Sequence, residues 1–190
     1  MGTILLICLG GGGILLIGLL GYLFTLYNGL VRLRILVEEA WSGIDVQLKK
    51  RFDLIPNLVE TVKGYAKHEE GIFEKVTKLR SQAMQTESPK ELAEIEGEMR
   101  NTLKSLFAVA EAYPDLKANT NFLSLQTTLQ EIETEIESAR RYYNGAVRDY
   151  NTRQQVFPAN LIASMLGFKP REFFETAESE RENVKVSFDK

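Results

Sequence analysis

Residues His68 to Ile72 read His-Glu-Glu-Gly-Ile, the opening of a helical zinc-protease motif. In that motif two histidines four residues apart hold the metal and a glutamate between them acts as general base. Position 72 is isoleucine where the second ligand must stand, and His68 is the sole histidine of the chain, so the mechanism fails. A lone histidine among Glu and Lys reads as a solvated surface residue. The Gly10 to Gly13 run suggests a phosphate loop, but no Lys-Ser or Lys-Thr pair follows and the run lies inside an apolar segment. Glu131, Glu133, Glu135 and Glu137 alternate with Ile and Thr, and paired carboxylates can exchange protons or bind a cation. Residues two apart on a helix point away from each other, however. Glu133 and Glu137, at i,i+4, read as the wet flank of a face made by Ile132 and Ile136. A di-iron bundle would need two Glu-x-x-His motifs, which one histidine cannot supply. The expectation is a protein with no catalytic residue, no metal ligand and no cofactor, hence no enzyme.

The elements that would carry any function are an anchor and a set of helices. Residues 2 to 31 contain no charged side chain. From Ile4 to Leu26 the chain is nearly all apolar, and as a helix this segment spans roughly 35 Å, enough to cross a hydrocarbon core of ~30 Å. A secretory signal would show a basic start, a shorter apolar core and a small-residue cleavage site; none is clear, and aromatic Tyr22, Phe24 and Tyr27 suit a membrane interface. A lipoprotein reading of Cys8, the one cysteine, fits less well, because Leu6 and Ile7 before it are large. Gly11, Gly18, Gly21 and Thr25 fall near one helical face, a spacing that lets transmembrane backbones approach closely, although glycine is also common in membrane helices generally. Arg32 and Arg34 follow the segment at once while no Lys or Arg precedes it. The positive-inside tendency then places the N-terminus outside and the body in the cytoplasm. A formal charge of −3, from 23 basic and 26 acidic residues, offers no broad basic surface for nucleic acid.

Behind the anchor the spacing predicts an all-α body: an antiparallel up-and-down bundle of three long helices and a short fourth. Its first helix carries Leu30, Leu33, Val37, Trp41, Ile44, Leu48, Phe52, Ile55, Leu58, Val62, Tyr65 and, farther on, Ile72, Val76 and Leu79 on one face, with a kink expected at Pro56 or a fresh start capped by Asp53. Ser88, Pro89 and Glu91 announce a second helix with a capping box, its apolar face being Leu92, Ile95, Met99, Leu103, Leu106 and Ala110. The third has a coiled-coil-like seam at 3,4 spacing from Phe122 through Ile132, Ile136, Tyr143 and Tyr150 to Phe157. Leu161 to Leu166 form a short fourth helix ended by Gly167. The predicted division is residues 1–29 as transmembrane anchor, 30–174 as cytoplasmic bundle and 175–190 as a charged, loosely ordered tail. Because the second helix is much shorter than the first and third, parts of both long stripes lack a cover, which argues for self-association.

One stretch is more specific than any periodicity. Ala40-Trp41-Ser42, Ile44-Asp45-Val46-Gln47-Leu48-Lys49-Lys50-Arg51 and Asp53 through Ala66, with Tyr113-Pro114-Asp115-Leu116-Lys117-Ala118-Asn119, Asn121-Phe122-Leu123, Ala139-Arg140, Tyr143-Asn144, Tyr150-Asn151, Phe157-Pro158 and Gly167-Phe168, resemble the LemA family signature from about Tyr27 to Phe174. The resemblance implies a bacterial inner-membrane protein with one N-terminal anchor and a helical bundle. It brings no catalytic residues and no settled activity; a relative that serves in forming magnetosome membranes suggests membrane organisation.

Two readings follow. In the first, the chain is a scaffold that self-assembles through its anchor and seams, as a homo-oligomer in contact with membrane lipid. In the second, it is a tethered adaptor that binds a different protein, such as a membrane protease or sensor.

Overall fold

A computed structural model describes residues 2–66 and 68–175, and all their side chains except those of residues 3–10. The side chain of Cys8 and the tail beyond residue 175 lie outside the described residues. Six helices make up the described chain: α1 (Gly2–Lys63), α2 (Glu70–Ala83), α3 (Pro89–Glu111), α4 (Pro114–Lys117), α5 (Thr120–Gln155) and α6 (Ala159–Met165). No strand occurs among the described residues, so the all-α class holds.

The anchor and the first body helix are one element. α1 is long and apolar enough to cross a membrane, and only 11% of its most apolar window is buried, unlike a helix at the centre of a soluble core. Helix α1 runs through Pro56 without restarting, so Asp53 does not cap a new helix. The stripe expected to continue through Tyr65 to Leu79 breaks instead. At Gly64 the helix ends in a tightened turn, with the Tyr65 and Ala66 amides both donating to the Val62 carbonyl at 3.0 and 2.8 Å. When the chain becomes helical again in α2, the buried face is Phe73, Val76, Leu79 and Ala83, one residue out of step with the predicted Ile72.

The chain forms two compact units. One joins Met1–Trp41 to Asn144–Arg171, and the other joins Ser42–Tyr143 to Glu172–Lys190, of which residues up to 175 are described.

In the second unit α1 and α5 run antiparallel. The side chain of Arg51 meets Glu133, and farther along α1 Tyr65 meets Asn119, just before the start of α5. The core carries Ile44, Leu48, Ile55, Leu58 and Val62 from α1 with Phe122, Leu129, Ile132, Ile136 and Tyr143 from α5. Full burial of one such side chain contributes about 1.5–3 kcal/mol before ordering costs. Helices α2 and α3 pack on each other as a hairpin. Ser88 caps α3 by accepting from the Glu91 amide at 3.4 Å, with Pro89 in the first turn. Only half the expected capping box forms: the Glu91 carboxylate accepts from the Thr86 hydroxyl at 2.7 Å. Asn119 opens α5 by accepting from the Phe122 amide at 3.0 Å while donating to the Tyr65 hydroxyl at 3.1 Å.

In the first unit the buried residues are Leu26, Leu30, Val37 and Ala40 of α1, Ala146, Val147, Tyr150 and Gln154 of α5, and Ala159 and Ala163 of α6. Gly167, at φ +70°, ends α6 with the Phe168 amide donating back to Ala163 and the Gly167 amide to Ser164, a Schellman closure. That turn sends Phe168 edge-on against Tyr27, ring centroids 6.1 Å apart. The stretch after it is tied twice to Asn151, which donates to the Arg171 carbonyl at 2.8 Å and accepts from the Arg171 amide at 2.9 Å. Phe157, predicted to end the α5 seam, is 79% exposed, and Gln154 is buried instead; α5 stops at Gln155, so the stripe has no helix to continue on.

Most of both stripes is buried within one chain, with Leu33 and Leu125 half-buried and Tyr65 and Phe157 exposed. Leu30 and Ile44 have no exposed surface, and Tyr143 and Tyr150 are buried. Part of this cover comes from α2, whose Arg80 reaches the Phe52 carbonyl, and from the segment after α6, whose Phe168 meets Tyr27.

Candidate functional site

The anchor residues selected from sequence are all open. Gly11, Gly18, Gly21 and Thr25 are exposed. A β-carbon added at any of these three glycines would meet nothing within 4 Å among the described residues, so none of them occupies this face. The Thr25 hydroxyl donates to the Gly21 carbonyl at 2.9 Å, which satisfies it inside its own helix. The large side chains from Ile14 to Phe24 are likewise exposed. Protein cover begins at Leu26.

Arg32 and Arg34 are exposed at the end of the apolar segment. The Arg34 guanidinium also lies over the Phe168 ring, 5.7 Å from its centroid, so it packs as well as carrying charge. Of the seam residues, Ile132, Ile136 and Tyr143 are buried in the second unit and Tyr150 in the first. The Tyr143 hydroxyl donates to the Glu172 carbonyl at 2.9 Å. Burial pushes the Tyr150 hydroxyl above its ordinary pKa, with nearby Arg171 and Arg34 opposing.

Glu133, expected on the wet flank of the third helix, instead joins a cluster of charged side chains. Arg51, 1% exposed, donates to Glu133 at 2.7 Å and pairs with Glu96, itself 2% exposed. Arg100 approaches the other Glu133 oxygen at 2.7 Å. Two guanidinium groups and two carboxylates thus join α1, α3 and α5, and Glu133 is half-buried rather than an idle surface acid. Loss of solvent pulls the Arg51 guanidinium down to about 10, with Glu133 opposing that shift and Arg100 adding to it. It remains protonated at neutral pH.

A register signal was available for this network. Leu92, Glu96, Met99, Leu103, Leu106 and Ala110 step by 4,3,4,3,4, so Glu96 holds the buried register better than Ile95, which is half-buried. Leu48, Arg51, Ile55, Leu58 and Val62 do the same on α1. Opposite charges on core registers of two helices are the pattern of a buried pair.

The arrangement can hold helices in register and seat one apolar helix in a bilayer. Among the described residues there is no group of three or more His, Cys, Asp or Glu placed to hold a metal ion, and His68 is exposed.

Protein LemA of Metamycoplasma hominis is 29% identical over 84% of this chain and 74% of its own length. A magnetosome protein MamQ of Paramagnetospirillum magneticum is 26% identical over 78% of this chain, which spans 64% of that relative. MamQ of Magnetospirillum gryphiswaldense is 24% identical over 83% of this chain and 69% of its own. None of these names is an enzyme name, and together with the apolar α1 they fit a membrane-associated protein. Residues 40–188, which include the Arg51, Glu96 and Glu133 cluster and the α5 seam, match the family model described as LemA family, and the chain belongs to that family.

Proposed function

We propose that the chain is a non-enzymatic scaffold of the bacterial inner membrane, anchored by residues 1–29, that self-assembles and organises or shapes the bilayer. The observation that carries this reading is the change in α1 at Leu26. Before it the large apolar side chains from Ile14 to Phe24 are exposed; from it onward one face is buried. A helix open to lipid and continuous with a folded body is a tether built to hold that body at the membrane. The magnetosome proteins among the relatives support a role in membrane organisation.

We assign the contact between copies to the anchor, with its face of Gly11, Gly18, Gly21 and Thr25, and to the parts of the seams left exposed. Arg32 and Arg34 keep the body, residues 30–174, and the tail, 175–190, in the cytoplasm. Sizing the full chain in gentle detergent tests the reading: a large homo-oligomer is expected, and a monomer overturns it.

The adaptor reading draws on one feature of the second unit. Lys63, Phe73, Thr77, Lys78 and Ser81 border an open groove of about 800 Å³, with Lys63 over the Phe73 ring at 5.5 Å. A monomer that co-purifies with one other protein would favour it.

A further inference from the structure

We propose that α6 and the turn before it form a second membrane contact, a foot seated in the interface of the bilayer that α1 crosses. The proposal rests on the reading of α1 as a transmembrane anchor.

From Gln154 to Phe168 the chain carries no charged residue, and the run is bounded by Arg153 and Lys169. Within it Phe157, Leu161 and Met165 recur every fourth residue and are 79%, 55% and 83% exposed; Leu166 beside them is 57% exposed. Ala159 and Ala163, two positions out of phase on α6, are buried. The short helix therefore turns Ala159 and Ala163 inward and Leu161 and Met165 outward, with Ile162 half-buried between them, the reverse of a water-facing helix.

The first unit itself fixes the level of this stripe. Leu26 ends the apolar segment and is 3% exposed, so another part of the protein reaches down to the depth where the span ends. Tyr27 supplies the contact by meeting Phe168, the residue just beyond the turn that closes α6. Arg34 lies over that same ring, and Arg32 and Lys169 are exposed nearby in sequence to the two contacting aromatics. An apolar stripe next to aromatic rings and cations is the composition of an interfacial segment: rings and aliphatic side chains enter the headgroup and acyl boundary while cations face lipid phosphates. A lipid surface is thus the occupant that both the apolar and the charged neighbours fit.

The test uses the full chain with Cys8→Ser, carrying one new cysteine labelled with bimane and reconstituted into phosphatidylcholine and phosphatidylglycerol bilayers. Met165→Cys and Phe157→Cys each read the foot at a highly exposed position, where the label displaces no core atom. Leu19→Cys reads the anchor and Met84→Cys, an exposed position on neither, reads background. Lipids brominated near the headgroup end of the acyl chain should quench the two foot labels more than lipids brominated near the chain terminus, as befits burial by about 5–10 Å. Met84→Cys should keep its fluorescence. Foot labels quenched by aqueous iodide and untouched by bromolipid overturn the proposal while a quenched Leu19→Cys leaves the anchor standing. Foot labels shielded from both quenchers also overturn it, since protein then covers the face. If Leu19→Cys is not quenched, the anchor reading falls and the foot with it.

Discussion

Arg80 of α2 donates its Nε hydrogen to the backbone carbonyl of Phe52 at 2.8 Å. In an unbroken α-helix that carbonyl would accept from the amide four residues on, but position 56 is proline and has none. The guanidinium replaces the missing donor, and this is how α1 runs through Pro56 with its carbonyl satisfied. Arg80 is half-buried, so the bond it supplies is partly shielded from water.

This relationship predicts non-additive mutations. Arg80→Met should cost about 1–3 kcal/mol, the penalty of an orphaned carbonyl. In a Pro56→Ala background the restored backbone amide at that position takes over, and the same change should cost well under half as much. Urea titrations of the four full-length variants in detergent, followed by Trp41 fluorescence, measure the coupling. Equal costs in both backgrounds would mean Arg80 acts only by packing.

The Arg51 cluster predicts a second pattern. Arg51→Met leaves Glu96 buried without its cation and should destabilise by about 3–5 kcal/mol, whereas Arg51→Met with Glu96→Leu should recover much of the loss, because an apolar pair needs no desolvation. Glu133→Ala should destabilise by about 1–3 kcal/mol, since both Arg51 and Arg100 lose an acceptor. Glu137→Ala, on the exposed side of the same helix, should change stability by less than about 0.5 kcal/mol. Thermal melts compare the four, and a neutral Glu133→Ala would remove that carboxylate from the structural network.

If copies meet through the anchor, Gly18→Leu places a bulky side chain at the contact and should shrink the detergent-extracted oligomer without impairing insertion. Among the described residues nothing lies within 4 Å of a β-carbon added at either Gly18 or Gly12, so neither substitution clashes with them. Gly12→Leu, on another helical face, is the matched control. An unchanged oligomer with Gly18→Leu would reduce the anchor to a tether.

Topology is tested by protease added to intact spheroplasts. Arg32 and Arg34 should hold the body inside, since moving guanidinium groups through hydrocarbon is costly, and the body should survive until the membrane is opened. Digestion before lysis would reverse the orientation.

What the sequence determined by itself was whatever follows from local pattern. An uncharged run of apolar residues reads as a membrane-length helix wherever it stands, Ser88 with Pro89 marks a helix start, and 3,4 spacing makes Ile132, Ile136, Tyr143 and Tyr150 one helical stripe. The seven-residue run Tyr113 to Asn119 and the motif around Arg51 carry the family at once. Tertiary structure decided what depends on partners distant in the chain. Glu133 looked like a wet flank because helix periodicity locates only a residue's own face, and its cations come from α1 and α3. Pro56 marked a lost backbone bond, but the donor that replaces it, Arg80, belongs to another helix and has no signature beside the proline. The outward stripe of α6 likewise appears only once Ala159 and Ala163 are seen to be buried, since a seven-residue helix is too short for its apolar period to say which side faces the protein.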